Sequence, residues 1–140
     1  MFYNCYNLTA FNCDDLSALS DGSSMFYGCY SLTAFDSDLS ALTDGNYMFY
    51  HCYNLTAFNC NNLSSLTNGK NMFDTCYGLT AWDIDLPSLT TGEFMFYGCY
   101  GLTAFNCDDL SSLTNGKNMF RNCYGLTAIS SDLSSLTNGN

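Results

Sequence analysis

Side chains able to do chemistry recur at fixed intervals in this 140-residue sequence: eleven tyrosines, nine cysteines and thirteen acidic residues, against one histidine and three basic residues. Tyrosine stands at Tyr6, Tyr30, Tyr53, Tyr77, Tyr100 and Tyr124, with Tyr3, Tyr27, Tyr50 and Tyr97 just upstream. A phenol brings large contact area and a hydroxyl for few frozen torsions, which suits binding of sugars or proteins. The same rings could equally pack over one another and shield a corner. Cysteine recurs at Cys5, Cys29, Cys52, Cys76, Cys99 and Cys123, and at half that frequency at Cys13, Cys60 and Cys107. A small polarisable side chain at each interval fits a narrow buried corner. There is no Cys-x-x-Cys pair to signal redox chemistry or zinc, so free thiols are expected.

Aspartate recurs at Asp15, Asp38, Asp85, Asp109 and Asp132, with Asn62 in the remaining place and Asp14, Asp36, Asp83 and Asp108 close by. Oxygen-only ligands would suit calcium. The plainer role is a local Asx hydrogen bond before the next leucine, which Asn62 can make as well as aspartate. Threonines at Thr9, Thr33, Thr56, Thr80, Thr103 and Thr127 fit ordinary strand propensity. Three Asn-Leu-Thr/Ser triplets, at Asn7, Asn54 and Asn62, are glycosylation sequons that matter only in a host that modifies them.

Catalysis has little to work with. His51 stands in a variable slot filled elsewhere by Asn4, Gly28, Thr75, Gly98 and Asn122, and is expected to face solvent. Adjacent carboxylates such as Asp108 and Asp109 point different ways in an extended segment, unlike a pair flanking a scissile bond. No P-loop, dinucleotide fingerprint or serine elbow occurs. Lys70, Lys117 and Arg121 are too few for an anion cradle, and a net charge of −10 excludes binding nucleic acid by phosphate neutralisation. The expectation is a non-enzymatic protein without a cofactor, with no nucleic-acid partner. No apolar run approaches the roughly 18 residues of a membrane span.

What must position these columns is a repeat. Met-Phe recurs at Met1, Met25, Met48, Met72, Met95 and Met119, dividing the chain into units 1–24, 25–47, 48–71, 72–94, 95–118 and 119–140 with alternating lengths. Spacing in the low twenties with leucines at fixed places lies in the leucine-rich range. Burying the seven mostly apolar positions of one copy is worth about 10–20 kcal/mol, less than ordering its backbone costs, so copies must stack to fold. The expected fold is a single β-rich solenoid of six leucine-rich-repeat-like turns. Each turn holds a short strand (Leu8–Phe11), a second short extended or turn segment (Leu16–Leu19) and a compact helical corner (Met25–Cys29). A glycine closes each copy, at Gly22, Gly45, Gly69, Gly92, Gly116 and Gly139, after a residue that is usually Asn or Asp, a context that suits a turn with positive φ.

The run Met-Phe-Tyr-Gly-Cys-Tyr-Gly-Leu-Thr-Ala-Phe from Met95 to Phe105, followed by Leu-Ser-Ser-Leu-Thr-Asn-Gly from Leu110, resembles the BspA-like leucine-rich repeats of bacterial, protist and phage-borne surface proteins. The resemblance covers all six copies. It implies a curved right-handed solenoid, an extracellular or cell- or virion-surface location, and a role in adhesion or binding. Solenoids usually finish in atypical capping copies, and here no copy is atypical. Two expectations follow. The chain is a window from a longer surface protein that grips a glycan or host protein, or its ends, bearing Met1 and Phe2 at one extremity and Leu126, Ile129, Leu133 and Leu136 at the other, stack head-to-tail into a homopolymeric filament.

Overall fold

The computed structural model describes every residue except Asp14. Six short strands follow one another: β1 (Ala10–Asn12), β2 (Ala34–Asp36), β3 (Ala57–Phe58), β4 (Ala81–Trp82), β5 (Ala104–Asn106) and β6 (Ala128–Ser130). They pair in parallel and in register, alanine on alanine throughout and aromatic on aromatic except at β6, where Ile129 meets Phe105, as β1-β2-β3 and β4-β5-β6. On a second side of each turn an unbroken line of bridges runs Asp21, Asp44, Asn68, Thr91, Asn115, Asn138.

The core is a set of aromatic and aliphatic stacks along the axis. Phe2, Phe26, Phe49, Phe73, Phe96 and Phe120 lie ring over ring with centroids 5.3–5.7 Å apart. The strand aromatics Phe11, Phe35, Phe58, Trp82 and Phe105 form a second stack that meets the first edge-on. All seven repeated apolar positions of the second copy, from Met25 to Leu42, are buried. The order of stacking is therefore the order of the sequence, and burial of each copy is completed by its neighbours.

Two local expectations are corrected and one is narrowed. The corner is not helical: among the described residues no helix occurs. Met25, Tyr27 and Cys29 donate backwards to Gly22, Ser24 and Phe26, while the alternate amides of Gly22, Ser24, Phe26 and Gly28 donate to the next turn at Asp44, Asn46, Met48 and Tyr50. A helix would consume all of them internally. Of the two alternatives for Leu16–Leu19 the turn is the one formed, closed by the Leu19 N–H to the Leu16 carbonyl, and the extended pairing sits just after it at Asp21. Finally, none of the six closing glycines has positive φ. They are glycines because a Cβ on Gly22, Gly45, Gly69 or Gly92 would stand 2.7–3.1 Å from the sulfur of the methionine in the following turn. Positive φ falls elsewhere, before each inner methionine and three residues after every methionine, at Asn4, Gly28, His51, Thr75, Gly98 and Asn122.

Candidate functional site

The tyrosine column is continuous. Tyr6, Tyr30, Tyr53, Tyr77, Tyr100 and Tyr124 stack with centroids 4.8–5.5 Å apart on the outside of the corner. Because each inner ring has both faces covered by its neighbours, the column presents ring edges and hydroxyls, and no flat platform, to a partner. Beside it Tyr3, Tyr27 and Tyr50 stack at 4.6–4.8 Å. Burial, together with the Asp74 charge and neighbouring phenols, pushes Tyr50 up to about 12, so it stays a hydroxyl donor at neutral pH.

The cysteine column is chemically quiet. Cys29, Cys52, Cys76, Cys99 and Cys123 each donate the thiol to the carbonyl of the phenylalanine one turn below, at 3.0–3.3 Å. All nine are free. Burial drives the inner thiols upward, Cys29 to about 11 and Cys76 and Cys99 further, which keeps them protonated and unreactive.

The aspartate column is occupied with its own backbone. Asp15, Asp38, Asn62, Asp109 and Asp132 each accept the amide of the serine two residues on, at 2.8–3.1 Å. Asp85 is the exception for a chemical reason: Pro87 stands where that serine would be and has no N–H, so Asp85 accepts the amide of Asp109 from the next turn instead. Among the described residues no group of three or more His, Cys, Asp or Glu side chains comes together to hold a metal; Asp14 lies outside them. The hydroxyls of Thr33, Thr56, Thr103 and Thr127 are also spent, each donating to the carbonyl of the column threonine one turn below.

His51 does not stand free in solvent. It is half-buried with φ 64°, its Nδ1 lies 2.5 Å from Thr75 Oγ1, and its ring packs 3.8 Å from Tyr50. Burial lowers its pKa. The signal for this slot was in the sequence: four of its six occupants are Asn or Gly, the residues that tolerate left-handed backbone.

Sequence reasoning missed Asp74. It replaces tyrosine in the Tyr3-Tyr27-Tyr50 column, is only 6% exposed, and is held by Asn71 Nδ2 at 2.7 Å. Burial raises it to about 6 against the pull of that hydrogen bond. Beside it opens a cleft of about 350 Å³ lined by Tyr47, Lys70, Asp74, Phe94, Tyr97 and Arg121.

The expected end residues form two exposed faces. Met1 is 92% exposed, with Phe2 half-buried beside it. At the other face Ile129, Leu133 and Leu136, together with Leu113, Met119 and Phe120, line an apolar slot of about 390 Å³, while Leu126 packs half-buried against the core.

Set against known families, the chain matches the model described as BspA type leucine-rich repeat region in six copies across residues 1–127. No curated protein matches it.

Proposed function

The chain belongs to the BspA-type leucine-rich repeat family, and from that premise we propose that it is a non-enzymatic surface interaction protein whose two end faces stack one molecule on the next into a filament. The observation that carries this reading is the apolar slot. Over Gly22, Gly45, Gly69 and Gly92 the following turn places a methionine sulfur 2.7–3.1 Å from where a Cβ would be. Over Gly116 no methionine follows within these 140 residues, and the space is the slot lined by Met119, Phe120, Leu133 and Leu136. Met1 and Phe2 of a second molecule have the side chains that fill this place in every inner turn. The amide of Phe120 would then find the carbonyl of Met1, as Phe96 N–H finds Met119. Tyr6 would continue the column beyond Tyr124.

Electron microscopy and sedimentation of the 140-residue polypeptide test the reading. Filaments with a rise of roughly 29 Å per molecule, six turns at ~4.8 Å, are expected. Ile129→Asp with Leu133→Asp should abolish them while leaving a folded monomer. A concentration-independent monomer of the unaltered chain would sink the idea. A second reading, an adhesion module for a glycan or host protein, is favoured by the outward column from Tyr6 to Tyr124, whose rings present their edges to a partner.

A further inference from the structure

The replacement of tyrosine by Asp74 removes one ring from a stack. Rings in this column repeat at 4.6–4.8 Å from Tyr3 to Tyr50. Tyr50 therefore ends its stack, and Tyr97, two turns further, has no parallel partner; its aromatic neighbour is Phe94, edge-on at 5.7 Å and 68°. Next beyond Tyr97 in the column stands Arg121. Among the described residues no ring stacks parallel on Tyr97, and Asn122 Nδ2 pins its hydroxyl at 3.2 Å. The missing layer is about one ring thick, on the order of 4.8 Å.

The walls of the opening are polar in a specific way. Two of the three basic side chains in a chain of net charge −10 line it, Lys70 and Arg121. Lys70 is engaged by Glu93 at 3.1 Å. Arg121 is exposed and makes no salt bridge among the described residues. Asp74 accepts from Asn71 through Oδ2, which leaves Oδ1 to accept a hydrogen bond from a ligand. An aromatic ring with no stacked partner, a planar cation and a buried carboxylate acceptor together select a ligand that answers all three. A phosphate bound to Arg121 leaves the ring-thick layer unfilled, a neutral sugar leaves Arg121 unused, and a purely apolar ring satisfies neither polar group.

We propose that the cleft bounded by Tyr47, Phe94 and Tyr97 is a binding site for an acidic sugar residue: its ring lies in the layer left by the missing tyrosine, its carboxylate pairs with Arg121, and its hydroxyls donate to Asp74. A guanidinium pairs with a carboxylate through two parallel hydrogen bonds, which fixes orientation as well as charge. The cleft volume of about 350 Å³ accommodates one pyranose with its substituents. The proposal specifies a ligand for the adhesion reading and is independent of filament formation.

The probes are a glucuronic acid trisaccharide and the matching glucose trisaccharide, titrated into the full chain and followed by NMR shifts of corner amides. The acidic probe should bind, and at least about tenfold more tightly than the neutral one. Arg121→Gln, an exposed change that leaves the fold intact, should weaken the acidic probe by about tenfold or more. Asp74→Tyr should restore the ring stack, raise the melting temperature and abolish binding. Absence of binding at roughly 10 mM probe, equal binding of both sugars, equal binding of inorganic phosphate, or full binding by Arg121→Gln each overturns the proposal. Should Asp74→Tyr fail to fold, the Arg121 variant and the neutral sugar decide alone.

Discussion

Inner and outer copies share one sequence signature and differ almost completely in burial. Phe26, Phe49, Phe73 and Phe96 are fully buried, whereas Phe2 and Phe120 are half-covered; Leu39, Leu63, Leu86 and Leu110 are fully buried, whereas Leu133 is 39% exposed. The residue type is the same and the neighbour is not. In a stack of this kind a side chain has no energetic value of its own until the adjacent turn closes over it, so identical substitutions should have unequal costs along the chain.

The widest gap should separate phenylalanines. Phe73→Ala removes a ring stacked on both faces and should cost about 3–5 kcal/mol, while Phe2→Ala should cost about 1 kcal/mol, both read from denaturant unfolding of the monomeric Ile129→Asp/Leu133→Asp chain. Equal costs would show that burial by neighbours does not set stability. Glycine sharpens the contrast. Gly69→Ala drives a Cβ to 2.8 Å from the fully buried Met95 sulfur and should cost about 1–3 kcal/mol. In that monomer a Cβ on Gly116 has as its nearest neighbours Leu136 and Leu113 side-chain atoms and the Asn138 carbonyl oxygen, at 3.1–3.8 Å, and Gly116→Ala should be nearly neutral.

A smaller effect belongs to the inner copy that holds Asp74. Burial raises that carboxyl to about 6 from an unfolded value of 3.8. Its stabilising contribution is complete below about 4 and is lost as pH rises through about 6. Asp74→Asn should therefore gain stability over the unaltered chain at pH 7.5, on the order of 1–2 kcal/mol after solvent screening, and lose that advantage by pH 4. Asp15, Asp21 and Asp109, held below the usual range by the serines that follow them, act in the opposite sense below about pH 4 and cancel in the difference. A melting-temperature difference that does not vary with pH would refute the assignment. The smallest effect is conformational. His51→Asn relieves a left-handed backbone at φ 64° but forfeits the Thr75 contact, and a gain of about 0.5–1 kcal/mol is expected by thermal unfolding.

Much of the molecule was legible before any coordinates. Aligning Met-Phe placed alanine over alanine and, up to Ile129 in the last copy, aromatic over aromatic, as the strand registers have them. Asn62 in the aspartate column pointed to the serine-amide hydrogen bond that five of the six members make. The sheet break between β3 and β4 was not legible, though its surroundings are distinctive: Trp82 replaces phenylalanine there, its Nε1 donates to Ile84, and Pro87 follows. Nor was the role of the closing glycines, because a turn that needs positive φ and a slot that needs an absent Cβ select the same residue. The corner misled for a similar reason: its i to i−3 bonds resemble a helix locally, and only the next turn shows where the alternate amides go.

Periodicity by itself fixed which residues share a column, since a constant interval in a stacked chain permits one alignment. It could not fix what each column is for. Whether a tyrosine face is covered, whether an aspartate is shared with an amide or left in a cleft, and whether a methionine meets a glycine depend on the turn above and below. Those contacts lie one turn, some 23 residues, away along the chain but about 4.8 Å away in space. Asp74 is the sharpest case. In the sequence it is one acidic residue among thirteen, and the stack makes it a buried carboxylate where a ring is missing.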